Sequence, residues 1–434
     1  MNELGVGVVG IFALFLVFSW GIEIGFAMAV VGAVGMCYFV SVPAVVNLIG
    51  KDFFEIFSSY NLTVVPLFMF MGQIAFSSGI ANKLYDCTHK FVGHLPGGLA
   101  MATVGGATLF KAICGSSPAT TATFASVAVP EMDRRGYDTR LSTGIVATVG
   151  TLGFLIPPSS ALILLGIITE QSIGKLFVAG MFPGLLLAMF FIATIWVWCT
   201  LDSSIGPRSE KFGWKDRWAS LPEVVWPVVI FLVMIGGLME GFFTPTEAGS
   251  LGTFAVLALV VAKKQFGFKQ LKEAVSESIR PTAMVMILIA GSTVFGHFLA
   301  MTRIPMIASD WVTGLGLPPW LTVGIVLFVY LVGGSVIDDL AFMFLATPIL
   351  FPAVIKLGYN PLWFCIMVGL TVGIGVVLPP VAICVFIVKN ITKVPFNIIY
   401  KGVYPFLAAL VAVGILLFLF PQIATYLPSV FYKD

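Results

Sequence analysis

Residues 150–159 read Gly150-Thr151-Leu152-Gly153-Phe154-Leu155-Ile156-Pro157-Pro158-Ser159, and residues 373–380 read Gly373-Ile374-Gly375-Val376-Val377-Leu378-Pro379-Pro380. Each is an apolar run cut by consecutive prolines. Two prolines remove two N–H donors and clash with the preceding turn, so a helix carrying them breaks there and leaves carbonyl groups without helical partners. Gly153 and Gly375 are 222 positions apart, and the same shift brings Pro130 onto Pro352, Gly136-Tyr137 onto Gly358-Tyr359 and Pro183 onto Pro405. Near the starts of the halves, Glu23 and Gly25 match Glu247 and Gly249 at a shift of 224. An ordered series at a nearly constant shift marks an internal duplication.

Composition identifies the medium around these breaks. Of 434 residues, 59% are hydrophobic and 10% charged, and the mean hydropathy is +1.04. A soluble domain carries about 25% charge, so the solvent for most of this chain is the lipid bilayer. Disorder, nucleic-acid binding and a compact cytosolic enzyme are excluded. The 23 basic and 21 acidic residues leave a net charge of +2, too even a balance for an anionic macromolecular partner. Six scattered cysteines without a CxxC pair indicate neither a disulfide framework nor a zinc site. Leu4 to Trp20 lacks a basic n-region and reads as a retained span, not a signal peptide.

A bilayer core of roughly 30 Å takes about 20 helical residues. That ruler places crossings near 4–20, 24–42, 62–79, 138–168, 176–200, 222–240, 244–262, 281–302, 361–389 and 397–420. The stretches 97–133 and 318–355 are also long enough, but Gly115-Ser116-Ser117-Pro118 and Gly333-Gly334-Ser335 interrupt them, and each is expected to be a re-entrant hairpin. With two hairpins and the N-terminus outside, 17 Lys and Arg fall on the cytoplasmic face, Arg134, Arg135 and Lys393 among them. Five fall outside: Lys51, Lys175, Arg303, Lys356 and Lys433, with Lys111 left within the first hairpin. Such an asymmetry is the positive-inside signature.

The expected fold class is therefore an all-α polytopic membrane protein built from two inverted repeats. Residues 1–200 form the first, with scaffold helices 1–79, hairpin 97–133 and broken helix 138–168. A polar cytoplasmic linker follows at 201–221, then the second repeat at 222–434, with scaffold helices 222–302, hairpin 318–355 and broken helix 361–389. Five crossings per repeat make the second enter from the opposite side. Inverted repeats with discontinuous helices are the architecture of secondary transporters, whose site lies near the midplane where the halves meet.

The chemistry concentrates at the interruptions. In Gly115-Ser116-Ser117-Pro118-Ala119-Thr120-Thr121, glycine permits a reversal, Ser117 is suited to cap, and Pro118 fits the first position of a helix. A helix beginning at membrane depth aims its free N–H groups at the midplane, where they suit a carboxylate oriented by the hydroxyls of Ser116, Ser117 and Thr120. The alternative is a kinked span whose hydroxyls bond back to their own helix. At the second tip, Asp338 and Asp339 cost roughly 2.5–3.5 kcal/mol each in lipid unless they face a cavity, a cation or a helix N-terminus. A nearby cation and a simple helix cap both satisfy that demand. The carbonyls freed at the breaks are hard oxygen ligands suited to sodium, or else the prolines serve packing alone.

Other candidates are plainer. Lys111 either attracts an anion or snorkels, and Glu23 and Glu247 suit helix ends. His89, His94 and His297 lack ligand spacing. No G-x4-GK[ST] is present, so ATP is not the energy source, and no GxSxG or HExxH supports an intramembrane enzyme.

The motifs GSSPAT at 115–120, PEMDRRGYD at 130–138, GxxIPPS at 153–159, PTEAG at 245–249, GSVID at 334–338 and GxxLPP at 375–380 occur in order along the chain. Together they resemble the large membrane subunit of tripartite ATP-independent periplasmic (TRAP) transporters, the DctM type. The resemblance implies a sodium symporter of the bacterial inner membrane that imports dicarboxylates, sialic acids or keto acids by an elevator mechanism. It also implies two partners: a small four-helix membrane subunit and a periplasmic substrate-binding protein. Two sodium sites at least are implied, one using Ser116 or Ser117 with Gly153, Ile156 and Pro158, the other Gly334 or Ser335 with Gly375, Leu378 and Pro380. Substrate would lie between the tips, near Ser116, Ser117, Thr120, Ser335 and Asp338. A stand-alone Na+/dicarboxylate symporter without a binding protein is the rival reading.

Overall fold

The computed structural model describes residues 2–209, 211–264, 266–314 and 316–432; Lys433, counted above on the outer face, lies outside them. Among the described residues every regular element is helical. The first half runs through α1 (Glu3–Ser19), α2 (Ile24–Met36), α3 (Val42–Ser58), α4 (Val64–Ser77) and α5 (Ile80–Val92). A helix–turn–helix of α6 (Gly98–Lys111) and α7 (Ser117–Arg134) follows, then the interrupted pair α8 (Thr139–Val149) and α9 (Ser160–Ile168), then α10 (Ile173–Leu201). The short α11 (Trp214–Ser220) lies in the linker.

The second half continues with α12 (Pro222–Met239), α13 (Pro245–Ala262), α14 (Phe268–Met301) and α15 (Ile304–Gly314). A second helix–turn–helix, α16 (Pro319–Val336) and α17 (Asp339–Lys356), precedes the interrupted pair α18 (Pro361–Gly375) and α19 (Ile383–Thr392). The chain ends with α20 (Phe396–Leu419) and α21 (Gln422–Phe431). Eight helical stretches among the described residues are long and apolar enough to cross a membrane.

Two features differ from the expectation. The span placed at 281–302 belongs to a longer helix that starts at Phe268, because Pro281 costs one backbone bond without ending α14. The helices α3, α5, α15 and α21 add to the expected spans: α3 and α5 carry several charged residues, and α15 and α21, with 11 and 10 residues, are shorter than a bilayer crossing. One of them carries a buried acid: Asp52 of α3 has its Oδ2 3.1 Å from Nε2 of His297 on α14.

Without a hydrophobic drive between helices in lipid, small residues set how closely they approach. Gly25 and Gly291 bring α2 and α14 into backbone contact, and a Cβ on Gly291 would collide with the Gly25 carbonyl oxygen. Gly180 of α10 lies on the Leu155 carbonyl, and Gly144 of α8 lies on Gly402 of α20. Trp363 of α18 is fully buried and donates its Nε1–H to the Leu417 carbonyl of α20 at 2.8 Å. Thus α10 and α20 pack directly on the broken helices.

The linker is anchored as well. Gly97 N–H donates to the Gly206 carbonyl at 3.0 Å, Ser209 N–H to Gly93 at 3.0 Å, and Asp138 N–H to Ile205 at 2.9 Å. Arg217 of α11 is buried over the rings of Trp214 and Phe91, 5.1 and 5.9 Å away, with its guanidinium 3.4 Å from His94 Nδ1.

Candidate functional site

The first tip turns through residues 112–116. Ser116, in extended conformation, is the cap of α7, its Oγ accepting the Ala119 N–H at 3.3 Å. Ser117 was expected in that role, but it is already the first helical residue. Thr120 Oγ1 donates back to the Ser116 carbonyl at 3.0 Å. Ser117 is buried, and its Oγ accepts from Nζ of Lys111 at 3.4 Å. Lys111 has 0% exposure, so it does not snorkel to an interface.

This tip sits on the first break. There α8 tightens into a 3-10 turn over Gly150–Phe154, and Ser159 caps α9 by accepting the Leu162 N–H at 3.4 Å. A Cβ on Gly153 would collide with Lys111 Nζ and lie 2.7 Å from Ser117 Oγ. One on Gly115 would lie 2.8 Å from the Pro158 carbonyl oxygen, and Ser160 Oγ donates to the Gly115 carbonyl at 3.3 Å. Ser117 and Gly153 are therefore neighbours, as are Gly115 and Pro158, and the Ile156 side chain lies against Gly184 of α10.

The second tip is built differently. Asp338 caps α17, its Oδ1 accepting the Ala341 N–H at 3.1 Å, and Asp339 is the first helical residue. Ser335 Oγ donates back to the Val332 carbonyl at 2.8 Å, while its own carbonyl accepts the Val381 N–H from the second break at 3.2 Å. A Cβ on Gly375 would stand 2.7 Å from the Gly334 carbonyl carbon. Gly334, Ser335 and Gly375 are thus together; the Gly375 carbonyl accepts the Leu378 N–H at 3.1 Å, and Pro380 is exposed.

The two breaks also meet each other. Gly369 and Gly373 of α18 lie on Phe154, a Cβ on Gly373 falling 3.0 Å from its ring, and Gly150 faces Cys384 Sγ of α19 at 3.1 Å. Phe154 and Cys384 were not foreseen; the four-residue spacing of Gly369 and Gly373 was the available signal. Asp338 lines a cavity of about 280 Å³ with Glu23, Met284 and Leu288. Ser117, Thr120 and Ser335 are buried. Glu23 makes no side-chain cap, but Glu247 closes a capping box with Thr244. Among the described residues no group of three or more His, Cys, Asp or Glu is placed to hold a metal ion.

The sequence matches the family described as "Tripartite ATP-independent periplasmic transporter, DctM component" over residues 9–423. It is 33% identical over 389 residues to the C4-dicarboxylate TRAP transporter large permease protein DctM of Pseudomonas aeruginosa, covering 89% of each chain. It is 31% identical over 432 residues to the isethionate TRAP transporter permease protein DctMQ of Oleidesulfovibrio alaskensis, covering 97% of this chain and 65% of that one. The fold is similar to that of the YdaH transporter of Alcanivorax borkumensis, with a TM-score of 0.65, 12% identity and coverage of 91% and 90%. The relatives are permeases rather than enzymes, and the run of apolar helices is that of a multi-pass inner-membrane protein. On this match the chain belongs to the DctM family, the large membrane subunits of TRAP transporters.

Proposed function

We propose that this subunit imports small organic anions by sodium symport, moving its two tips and two breaks as one body in an elevator mechanism. The observation that carries this reading is the pairing of each glycine-containing tip with a proline-broken helix, Ser117 with Gly153 and Gly334 with Gly375, and the crossing of the two breaks at Phe154. Carbonyls at such interruptions suit a small hard cation, and helix starts aimed inward suit a carboxylate. The names of the two relatives specify anions, a C4-dicarboxylate and isethionate.

In this reading α10 and α20 travel with the broken helices, on which they pack, while α1–α4 and α12–α14 form the frame. The N-terminus is periplasmic, as the lysine and arginine distribution favours. Each sodium carried beyond charge balance gains roughly 2.3 kcal/mol per 100 mV. A small membrane subunit and a periplasmic binding protein complete the machine.

The test is uptake of labelled C4-dicarboxylates, keto acids and sialic acid into proteoliposomes holding this chain, its small subunit and loaded binding protein, with and without a sodium gradient. Uptake indifferent to sodium rejects the coupling. Uptake by this chain alone favours the single-component symporter instead.

A further inference from the structure

We propose that the Lys111 ammonium is a built-in cation at the first tip and break, leaving only the second open to sodium. The inference rests on the sodium-coupled reading above and narrows it.

Lys111 ends α6 with no exposed surface. Among the described residues its Nζ has one hydrogen-bond partner, Ser117 Oγ at 3.4 Å, and no carboxylate within ion-pair distance. An ammonium buried without a counter-ion requires oxygen dipoles around it. The oxygen at hand is Ser117 Oγ of the tip, and Gly153 of the first break packs against the Nζ, so the ammonium occupies the place proposed for a sodium. Gly153 shows how closely the group is seated: its missing side chain is what gives the Nζ room beside Ser117 Oγ. A sodium at the same place would face a fixed positive charge across a few ångströms of weakly polarisable protein, where like charges repel strongly.

The second site carries no such group. Setting Gly115 against Gly334 places Tyr330 opposite Lys111. Tyr330 is buried and uncharged, and its hydroxyl donates to Thr347 Oγ1 at 3.0 Å. Tyr330 therefore puts no fixed positive charge beside Gly334 and Gly375, and Asp338 and Asp339 follow on the same tip. The duplicated halves have diverged in charge at equivalent positions, so one site holds a tethered cation and the other remains free to exchange one.

Equilibrium binding of ²²Na⁺ to the full chain purified with its small subunit tests this, with sodium alone as the probe. Wild type is expected to saturate at one sodium per chain, Lys111→Arg at one, and Lys111→Ala, which vacates the cradle, at two. Two sodium ions on wild type overturn the proposal without recourse to any variant. A folded Lys111→Ala protein that still binds one also overturns it. No sodium on wild type defeats the symport reading itself, a result distinct from either.

Discussion

Gly402 of α20 rests on Gly144 of α8 with no room for a side chain between them. A Cβ on Gly402 would collide with the Arg140 carbonyl oxygen, which is backbone and unable to swing aside. Gly402→Ala therefore forces the helices apart, at a cost of about 1–3 kcal/mol typical of overpacking. The expected result is a lower melting temperature in detergent and reduced uptake. An unchanged melting temperature would contradict the close approach.

Gly153 and Lys111 are predicted to be coupled energetically. Gly153→Ala displaces the ammonium in the wild-type background; once Lys111 has been cut back to alanine that collision is gone and the 2.7 Å approach to Ser117 Oγ remains. A double-mutant cycle on thermal stability should return an interaction term of about 0.5–3 kcal/mol, with the second change cheaper than the first alone. Strict additivity would place the two residues apart.

Trp363 separates packing from hydrogen bonding within one side chain. Trp363→Phe keeps most of the buried ring but orphans the Leu417 carbonyl, for a loss of about 1 kcal/mol. Trp363→Ala adds a cavity and should cost about 3–5 kcal/mol. Melting curves of the two variants should differ accordingly, and equal losses would show that the indole N–H contributes nothing.

His89 predicts a pH dependence. Its imidazole is buried on α5 between Tyr85 and the linker residue Phe212, 6.4 and 5.3 Å away by ring centroids. Burial, assisted by the Arg135 guanidinium, holds it below the ordinary value of 6.5. A group that takes up its proton less readily when folded contributes its stability in full above 6.5 and loses it as pH falls below that point. Wild type should lose melting temperature on acidification through that range more steeply than His89→Phe. Parallel profiles would remove His89 as the cause.

The sequence discloses the interruptions more readily than what surrounds them. Pro157-Pro158, Pro379-Pro380 and the GSSP tip are legible because proline and glycine act locally, whatever their neighbours. The helix α3 is not, because Val42–Ser58 mixes Lys51, Asp52 and Glu55 with aromatic residues, and a hydropathy average discards the face on which they sit. Ser116 and Ser117 are interchangeable as letters; backbone angles alone decide which one caps. Lys111 is the clearest miss. A lysine near the end of an apolar helix has a flexible stem, and only the packing of α6 against Gly153 and Ser117 reveals that it points inward.

The bonds from Ile205, Gly206 and Ser209 to Asp138, Gly97 and Gly93 make the linker a leash fastened at the foot of the first tip's helices. Beyond Ser209 the chain reaches α11 at Trp214, a distance of less than about 20 Å even when drawn straight. A carriage riding between the two sides of the membrane would pull that leash taut. In the proposed elevator the stroke would be capped by that length, unless Arg217 first lets go of Phe91 and pays out more line.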